Sequence, residues 1–392
     1  MKAIINAKIV MPDEIINGVI LTDGGIITAV GDIAIPRETE IIDAEGLFVG
    51  PGLVDEHVHG YNQHGICVDV RQDCNSVADN HLLHGTTSIT PSAAYSYSKE
   101  EIIQIANSCN EAIESGKSSI IGIHYEGPFI NNNQGAHAEK AWSYSDEVFQ
   151  EIIDAARGNL LHCTYAPEME NASRLESILE KNGIVADIGH TLTGPKDAER
   201  AVSRGARIVT HLFDAMGCYL SPESAELTGD LQEQVSSILL SMPGLYYELI
   251  CDSRYVHVKE VSIRLAYRTA GEDGIILISD ATGERGVNLI AEYPEDDPRN
   301  AKDLNWNDLG QLSGSRLTLI DGVRNFMRAT GADVRVGFKC ASTNPAKAIK
   351  MDHQVGSISA GKLANLIFVD EQFNLKKVIF RGNILPNTRS KR

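Results

Sequence analysis

The chain has 392 residues, enough for one large domain with a small one, or for two ordinary domains. Its 35 Lys and Arg stand against 53 Asp and Glu, a net charge of −18 that argues against a nucleic acid or an anionic membrane as partner. Seven cysteines, scattered and never in a CxxC pair, suit reduced thiols rather than a disulfide framework.

Short β-branched runs fill the first fifty residues. Strands are predicted at 3–10, 18–22, 26–30 and 40–43, separated by Gly, Pro, Asn and Asp. The opening Met-Lys-Ala-Ile-Ile-Asn-Ala lacks the long apolar run of a signal peptide, and no stretch reaches membrane-spanning length, so a cytoplasmic protein is expected. From about residue 52 the pattern changes to short apolar runs alternating with helical stretches. Strands are predicted at 53–59, 88–91, 120–126, 162–166, 184–190, 208–212, 246–251 and 275–280, and helices at 100–115, 173–182, 196–204 and 319–329. About eight β/α alternations over about 300 residues point to an α/β fold of the TIM (β/α)8 barrel type. An open doubly wound sheet is the competing reading, weakened by the lack of a GxGxxG after an early strand. Residues 284–310 are polar and acidic and read as an excursion on the barrel rim. The tail returns to β runs at 366–370 and 377–380. Residues 1–51 and 351–392 are therefore expected to form one small β-sandwich domain from both termini, with the barrel at 52–350.

Polar residues close several of these apolar runs. His57 and His59 share one face of a strand, because side chains alternate with a period of two. Glu126, His190, His211 and Asp280 each end another predicted strand. Barrel active sites are assembled at that face from several strands. Four imidazoles and a carboxylate suit Zn²⁺ or Fe²⁺ better than Ca²⁺ or Mg²⁺, and one or two such ions are expected. Such an ion acidifies water, and Asp280 is placed to take the proton and return it to a leaving group.

These motifs resemble the amidohydrolase superfamily and, within it, the N-acetylglucosamine-6-phosphate deacetylases. The resemblance spans nearly the whole chain. It runs from Pro51-Gly52-Leu53-Val54-Asp55 with His57-Val58-His59-Gly60, through Gly85-Thr86-Thr87 and His124-Tyr125-Glu126-Gly127-Pro128-Phe129, to Gly135-Ala136-His137. Gly189-His190-Thr191, Thr210-His211-Leu212-Phe213-Asp214-Ala215-Met216 and Ser279-Asp280-Ala281-Thr282 follow in order, then Gly314-Ser315 and Asn344-Pro345-Ala346. It implies hydrolysis of an N-acetyl amino sugar, a metal held by Glu126, His190 and His211, a second metal possible at His57 and His59, and Asp280 as proton shuttle. It also implies His137 near the acetyl carbonyl, substrate contacts around Asp214, Ala215, Arg254, Tyr255, His257 and Leu312, and a homodimer.

Three departures concern the sugar phosphate. Asp214 stands where the family has Asn. Residues 217–234 contain no Lys or Arg, where the family often supplies an Arg. Tyr255 stands in place of a phosphate-contacting His, in Asp252-Ser253-Arg254-Tyr255. A carboxylate at Asp214 opposes a phosphate by about 4 kcal/mol per unit charge at 4 Å in an effective dielectric of 20. Either the substrate is an unphosphorylated or cationic N-acyl compound, or Arg254, His257 or another basic residue restores the phosphate site. The rival functions are an isoaspartyl-dipeptidase-like amidohydrolase, whose relatives commonly use a carboxylated Lys where Glu126 stands, and an inactive binding protein on the same scaffold.

The remaining polar residues read as structural. Glu56 points away from the His pair by alternation. His64, His81 and His84 carry no ligand spacing. His124 shares the face of Glu126 and is placed to support the metal site. Cys67, Cys218 and Cys251 are expected to be buried, inert thiols, and Trp142 and Trp306 packing or rim residues.

Overall fold

The computed structural model describes residues 1–61, 64–65, 74–136, 138–219, 233–283, 294, 296–307 and 309–386. Two eight-stranded sheets carry the architecture. In the first, Lys2–Val10 pairs antiparallel with Ile15–Asp23. On its other edge it pairs parallel with Glu40–Asp43 and then with Phe48–Pro51. Leu366–Val369 lies antiparallel to Phe48–Pro51 and leads to Leu375–Phe380, so both termini build one sheet, where a sandwich was expected. Ile4, Ile9, Ile20, Ile27, Val49, Leu366 and Phe368 share its apolar core. Among the described residues, no helix is long and apolar enough to cross a membrane.

The second sheet is a nearly closed parallel barrel. Its strands, in chain order, are Leu53–Val58, Thr86–Ala94, Ile123–Glu126, Leu160–Tyr165, Val185–Ile188, Ala206–Val209, Tyr246–Ile250 and Ile275–Ile278. Gly52 joins the two sheets at a point where only glycine fits, since a Cβ there would stand 2.0 Å from Thr87 Oγ1. The eighth strand is stitched to the first by a few individual bonds. The Asp280 amide donates to the His57 carbonyl (3.0 Å) and the His59 amide to the Ala281 carbonyl (2.8 Å). The Ser279 amide donates to Asp55 Oδ1 at 3.2 Å.

The predicted helices at 100–115, 173–182, 196–204 and 319–329 form at Lys99–Glu114, Ala172–Asn182, Pro195–Ser203 and Leu319–Thr330. Ser98 and Glu101 make a capping box that fixes the first of these. Three further helices have weaker sequence signals. Cys74–Leu83 carries little amphipathic pattern, Asp146–Ala155 follows a polar stretch, and Glu260–Gly274 is interrupted at Gly271, whose φ is +68°. The third barrel strand starts later than predicted, Ile120 making only an isolated bridge to Ile89. The fifth, sixth and eighth strands stop short of His190, His211 and Asp280. Those three residues take φ of 48°, 29° and 45°, a left-handed conformation that costs energy for any residue but glycine. The backbone leaves the ladder there, and the site is built on that departure.

Candidate metal centre and active site

Each histidine of the site is oriented by what its Nδ1 meets. His59 Nδ1 donates to the Ser92 carbonyl at 2.9 Å, His190 Nδ1 to the Gln134 carbonyl at 2.9 Å and His211 Nδ1 to the Asp214 carbonyl at 3.3 Å. His57 Nδ1 lies 3.1 Å from Glu248 Oε2. A carbonyl accepts only, so each of those Nδ1 atoms carries the proton, and the Nε2 lone pairs turn inward. His190 and His211 then face each other at 3.0 Å between Nε2 atoms, and His57 and His59 at 3.2 Å. Two lone pairs at that distance repel unless a positive charge sits among them.

Glu126 supplies the negative counterpart. Its Oε1 is 2.8 Å from His190 Nε2, 3.2 Å from His211 Nε2 and 3.5 Å from His57 Nε2, and its Oε2 is 3.2 Å from His59 Nε2. Burial works to raise its pKa, yet the neighbouring His190, His211 and His57 hold it well below the usual carboxylate range. Asp280 Oδ1 stands 3.5 Å from His59 Nε2 and 3.8 Å from His57 Nε2. The donors therefore fall into two sets, Glu126 with His190 and His211, and His57 with His59 and Asp280, each within 4.8 Å. Two ligands about 2.1 Å from one ion in roughly tetrahedral arrangement stand about 3.4 Å apart, close to the spacings seen. The donor chemistry and the inward lone pairs fit one or two divalent transition-metal ions.

Glu248 joins this arrangement although no sequence motif marks it. Fully buried in the seventh strand, its Oε2 also accepts the His211 amide at 3.0 Å, so one carboxylate braces a ligand from each set. The signal was present: a lone acid in the apolar run Tyr246-Tyr247-Glu248-Leu249-Ile250. Beneath it lies a polar layer inside the barrel. His162 Nδ1 meets Asp187 Oδ2 at 2.6 Å, and His124 bridges the Ser92 and Thr164 hydroxyls at 2.9 and 3.0 Å. His124, His162 and Asp187 are close enough to suggest a further ion, but the two rings are stacked, 5° from parallel with centroids 4.1 Å apart. An ion lies in the plane of an imidazole that binds it, and two stacked planes do not share one. His124 thus sits under the site as support, packed edge-on to His57. Glu56 lies beside an irregularity of the first barrel strand. The register slips between Asp55 and Val58, and its carboxyl is fully buried with no hydrogen-bond partner among the described residues. Burial, reinforced by the charges of Glu248 and Asp187, lifts its pKa well above the ordinary carboxylate value.

A pocket opens above the donors. His59, Glu126, His190, His211 and Asp280 form its floor, and Asp214, Ala215, His257 and Leu312 line its wall. Tyr95, Tyr97, Asn305 and Asn307 complete the wall and were not foreseen. The two asparagines come from the hairpin Leu304–Trp306/Leu312–Ser315, whose first strand lies in the predicted rim excursion. Tyr255 and Arg254 do not line it. The Tyr255 hydroxyl donates to the Asn325 carbonyl at 3.0 Å and accepts from Arg328 Nε at 2.9 Å, while Arg254 is exposed. His137 and Cys67 lie outside the described residues. His81 is a core histidine whose burial lowers its pKa to about 4, with Nε2 bonded to the Gly60 carbonyl. Cys251 is buried as expected, whereas Cys218 is exposed on a short surface hairpin. Trp142 and Trp306 pack, the former donating to the Tyr97 carbonyl.

Residues 48–385 match the model of the amidohydrolase family. The chain is 28% identical to N-acetylglucosamine-6-phosphate deacetylase of Caenorhabditis elegans, over 87% of this chain and 83% of that relative. It is 26% identical to the deacetylase of the same name from Vibrio furnissii, over 94% and 90%. The crystal structure of N-acetylglucosamine-6-phosphate deacetylase from Pasteurella multocida superposes with a TM-score of 0.84 at 26% identity, covering 98% of this chain and 100% of that one. Barrel, convergent donors and family match agree: the chain belongs to the amidohydrolase family and is a hydrolase of amide bonds that uses divalent metal.

Proposed function

We propose that this enzyme removes the acetyl group of an N-acetyl amino sugar, as a member of the group that contains the N-acetylglucosamine-6-phosphate deacetylases. The observation that carries the reading is the place of Asp280. Its carboxylate stands beside His57 and His59, on the floor of a pocket walled by polar groups. The proposed ligands are Glu126, His190 and His211 for one ion, with His57 and His59 for a second. Zn²⁺ is the favoured metal and Fe²⁺ the alternative.

When bound, such an ion supplies Lewis acidity, easing deprotonation of water and polarising the amide carbonyl. The chain's own groups do the rest. Asp280 accepts the proton that water loses as its oxygen bonds to the carbonyl carbon. The same carboxyl then passes that proton to the amide nitrogen as the C–N bond breaks, because an amine leaves only when protonated. Acetate and the free amino sugar result. The Asp280 amide, tied to the His57 carbonyl, keeps this carboxylate in place through both transfers. His137 is proposed to meet the acetyl carbonyl. A cytoplasmic homodimer is proposed with this reading, on the strength of the resemblance.

Elemental analysis together with acetate release tests the proposal. Asp280→Asn should keep its metal and fold while kcat falls about 10²- to 10⁴-fold. A near-wild-type kcat removes Asp280 from its role. A metal-loaded protein that releases no acetate from any N-acetyl sugar removes the deacetylase reading and favours an inactive binding protein or a peptidase-like relative.

A further inference from the structure

The relatives are named for a phosphorylated sugar, so the pocket must be asked where a phosphate dianion would be held. Such a group needs Arg, Lys, a free imidazolium or a set of N–H donors. Among the described residues that line the pocket there is no Lys or Arg. His257 is the nearest substitute on the wall, but both its nitrogens are spent. Nδ1 is 3.3 Å from the Asp252 carboxylate and Nε2 is 3.1 Å from the Gly314 carbonyl. Asp252, itself fastened by the amides of Arg254, Val256 and His257, offsets the charge on that ring.

Other routes to a phosphate site among the described residues close as well. Arg328 is held against Tyr255, with Nε on the phenol oxygen, a further nitrogen on the Ser253 carbonyl, and its guanidinium over the ring. Arg254 is exposed and off the pocket. Residues 217–234 hold no Lys or Arg in the sequence, so neither this chain's segment nor a second copy's brings a cation. What the wall does offer is acceptors. Asp214 presents a carboxyl group. Asn305 has its amide nitrogen on the Ser313 carbonyl at 2.8 Å, while its Oδ1 is buried without a hydrogen-bond partner among the described residues. Asn307, by contrast, is engaged at both ends, its nitrogen on Gln311 Oε1 at 2.9 Å and its Oδ1 accepting the amides of Leu309 and Gln311 at 3.0 and 2.9 Å.

We propose that this wall selects a hydrogen-bond-donating group, a hydroxyl or an ammonium, at the end of the substrate away from the acetamide, and that the substrates are unphosphorylated N-acyl amino sugars. Asp214 is the specificity-determining residue. The proposal rests on the deacetylase reading for its chemistry but has its own test.

Metal-loaded, full-length enzyme is assayed for acetate release from N-acetylglucosamine-6-phosphate, from N-acetylglucosamine and from its 6-amino-6-deoxy analogue. The expected result is a kcat/KM at least about tenfold higher for the hydroxyl or the amine than for the phosphate, and the better of the two identifies the donor. Asp214→Asn should narrow that gap by raising kcat/KM for the phosphorylated sugar. A second arm measures calorimetric binding of the same three sugars to metal-loaded Asp280→Asn, which separates recognition from turnover. Preference for the phosphorylated sugar in either arm overturns this inference and leaves the deacetylase reading standing. Binding preference for the unphosphorylated sugars without any acetate release upholds it and overturns the deacetylase reading. Binding of none overturns both.

Discussion

Glu248 does at the residue scale what no motif announces. It touches His57 through the ring and His211 through the backbone, and so couples the two sets of metal donors. Burial would raise its pKa, but the contact with His57, chiefly, holds it below the usual carboxylate value. Replacing it with Gln keeps the shape and removes the charge. Glu248→Gln is expected to lower metal affinity about 10- to 100-fold without abolishing the fold, as seen when groups that orient metal ligands are lost. Competition against a chromophoric chelator measures this, and an unchanged affinity would show that Glu248 serves packing alone. The converging candidate donors were legible in the sequence because each ends an apolar run with a residue rich in chemistry. Glu248 was not, because it lies within a run whose apolar neighbours mark it only as strand.

Among the elements, strands were easier to read than loops. The β-branched runs gave all eight barrel strands, with edges moved by a few residues where His190, His211 and Asp280 leave the ladder at positive φ. The walls of the pocket come instead from loops, whose geometry depends on contacts far away in sequence. Tyr255 shows the limit: the family resemblance implied a place by the substrate, while its hydroxyl is engaged by Asn325 and Arg328. The loop that carries Gln134 shows how tightly such a segment is fitted. A Cβ on Gly135 would lie 2.5 Å from His190 Nδ1, at a φ of +107° that disfavours any side chain. Gly135→Ala is therefore expected to push His190 off its ligand position. Metal affinity and kcat should fall together, about tenfold or more, with far-UV dichroism unchanged. Full metal affinity in this variant would show that the loop yields before the histidine does.

For the whole molecule, the joint between barrel and terminal sheet has its own electrostatic clasp. Arg335 forks onto Glu272 at 3.0 and 2.6 Å and reaches the Pro12 carbonyl, while Lys339 meets Glu272, Asp273 and Asp13. The hydrogen bonds from Arg335, chiefly, bring the Glu272 pKa from 4.5 down to about 2. A carboxylate depressed on folding adds stability that is complete above its unfolded pKa and disappears as pH falls through its folded one. The urea midpoint should thus decline between about pH 4.5 and pH 2, and Glu272→Gln should flatten that limb. Partial exposure of the clasp keeps the effect modest. If the two acid limbs superimpose, the clasp does not stabilise the fold. A different consequence follows from the seam between the first and eighth strands. The bonds that close the barrel there run through the backbones of His57, His59, Asp280 and Ala281. Closure of the cylinder and assembly of the catalytic group are thus one event. With the proposed roles of these residues, a newly made chain is expected to gain its chemistry only when its last barrel strand docks, and a motion that parts this seam is expected to silence the enzyme.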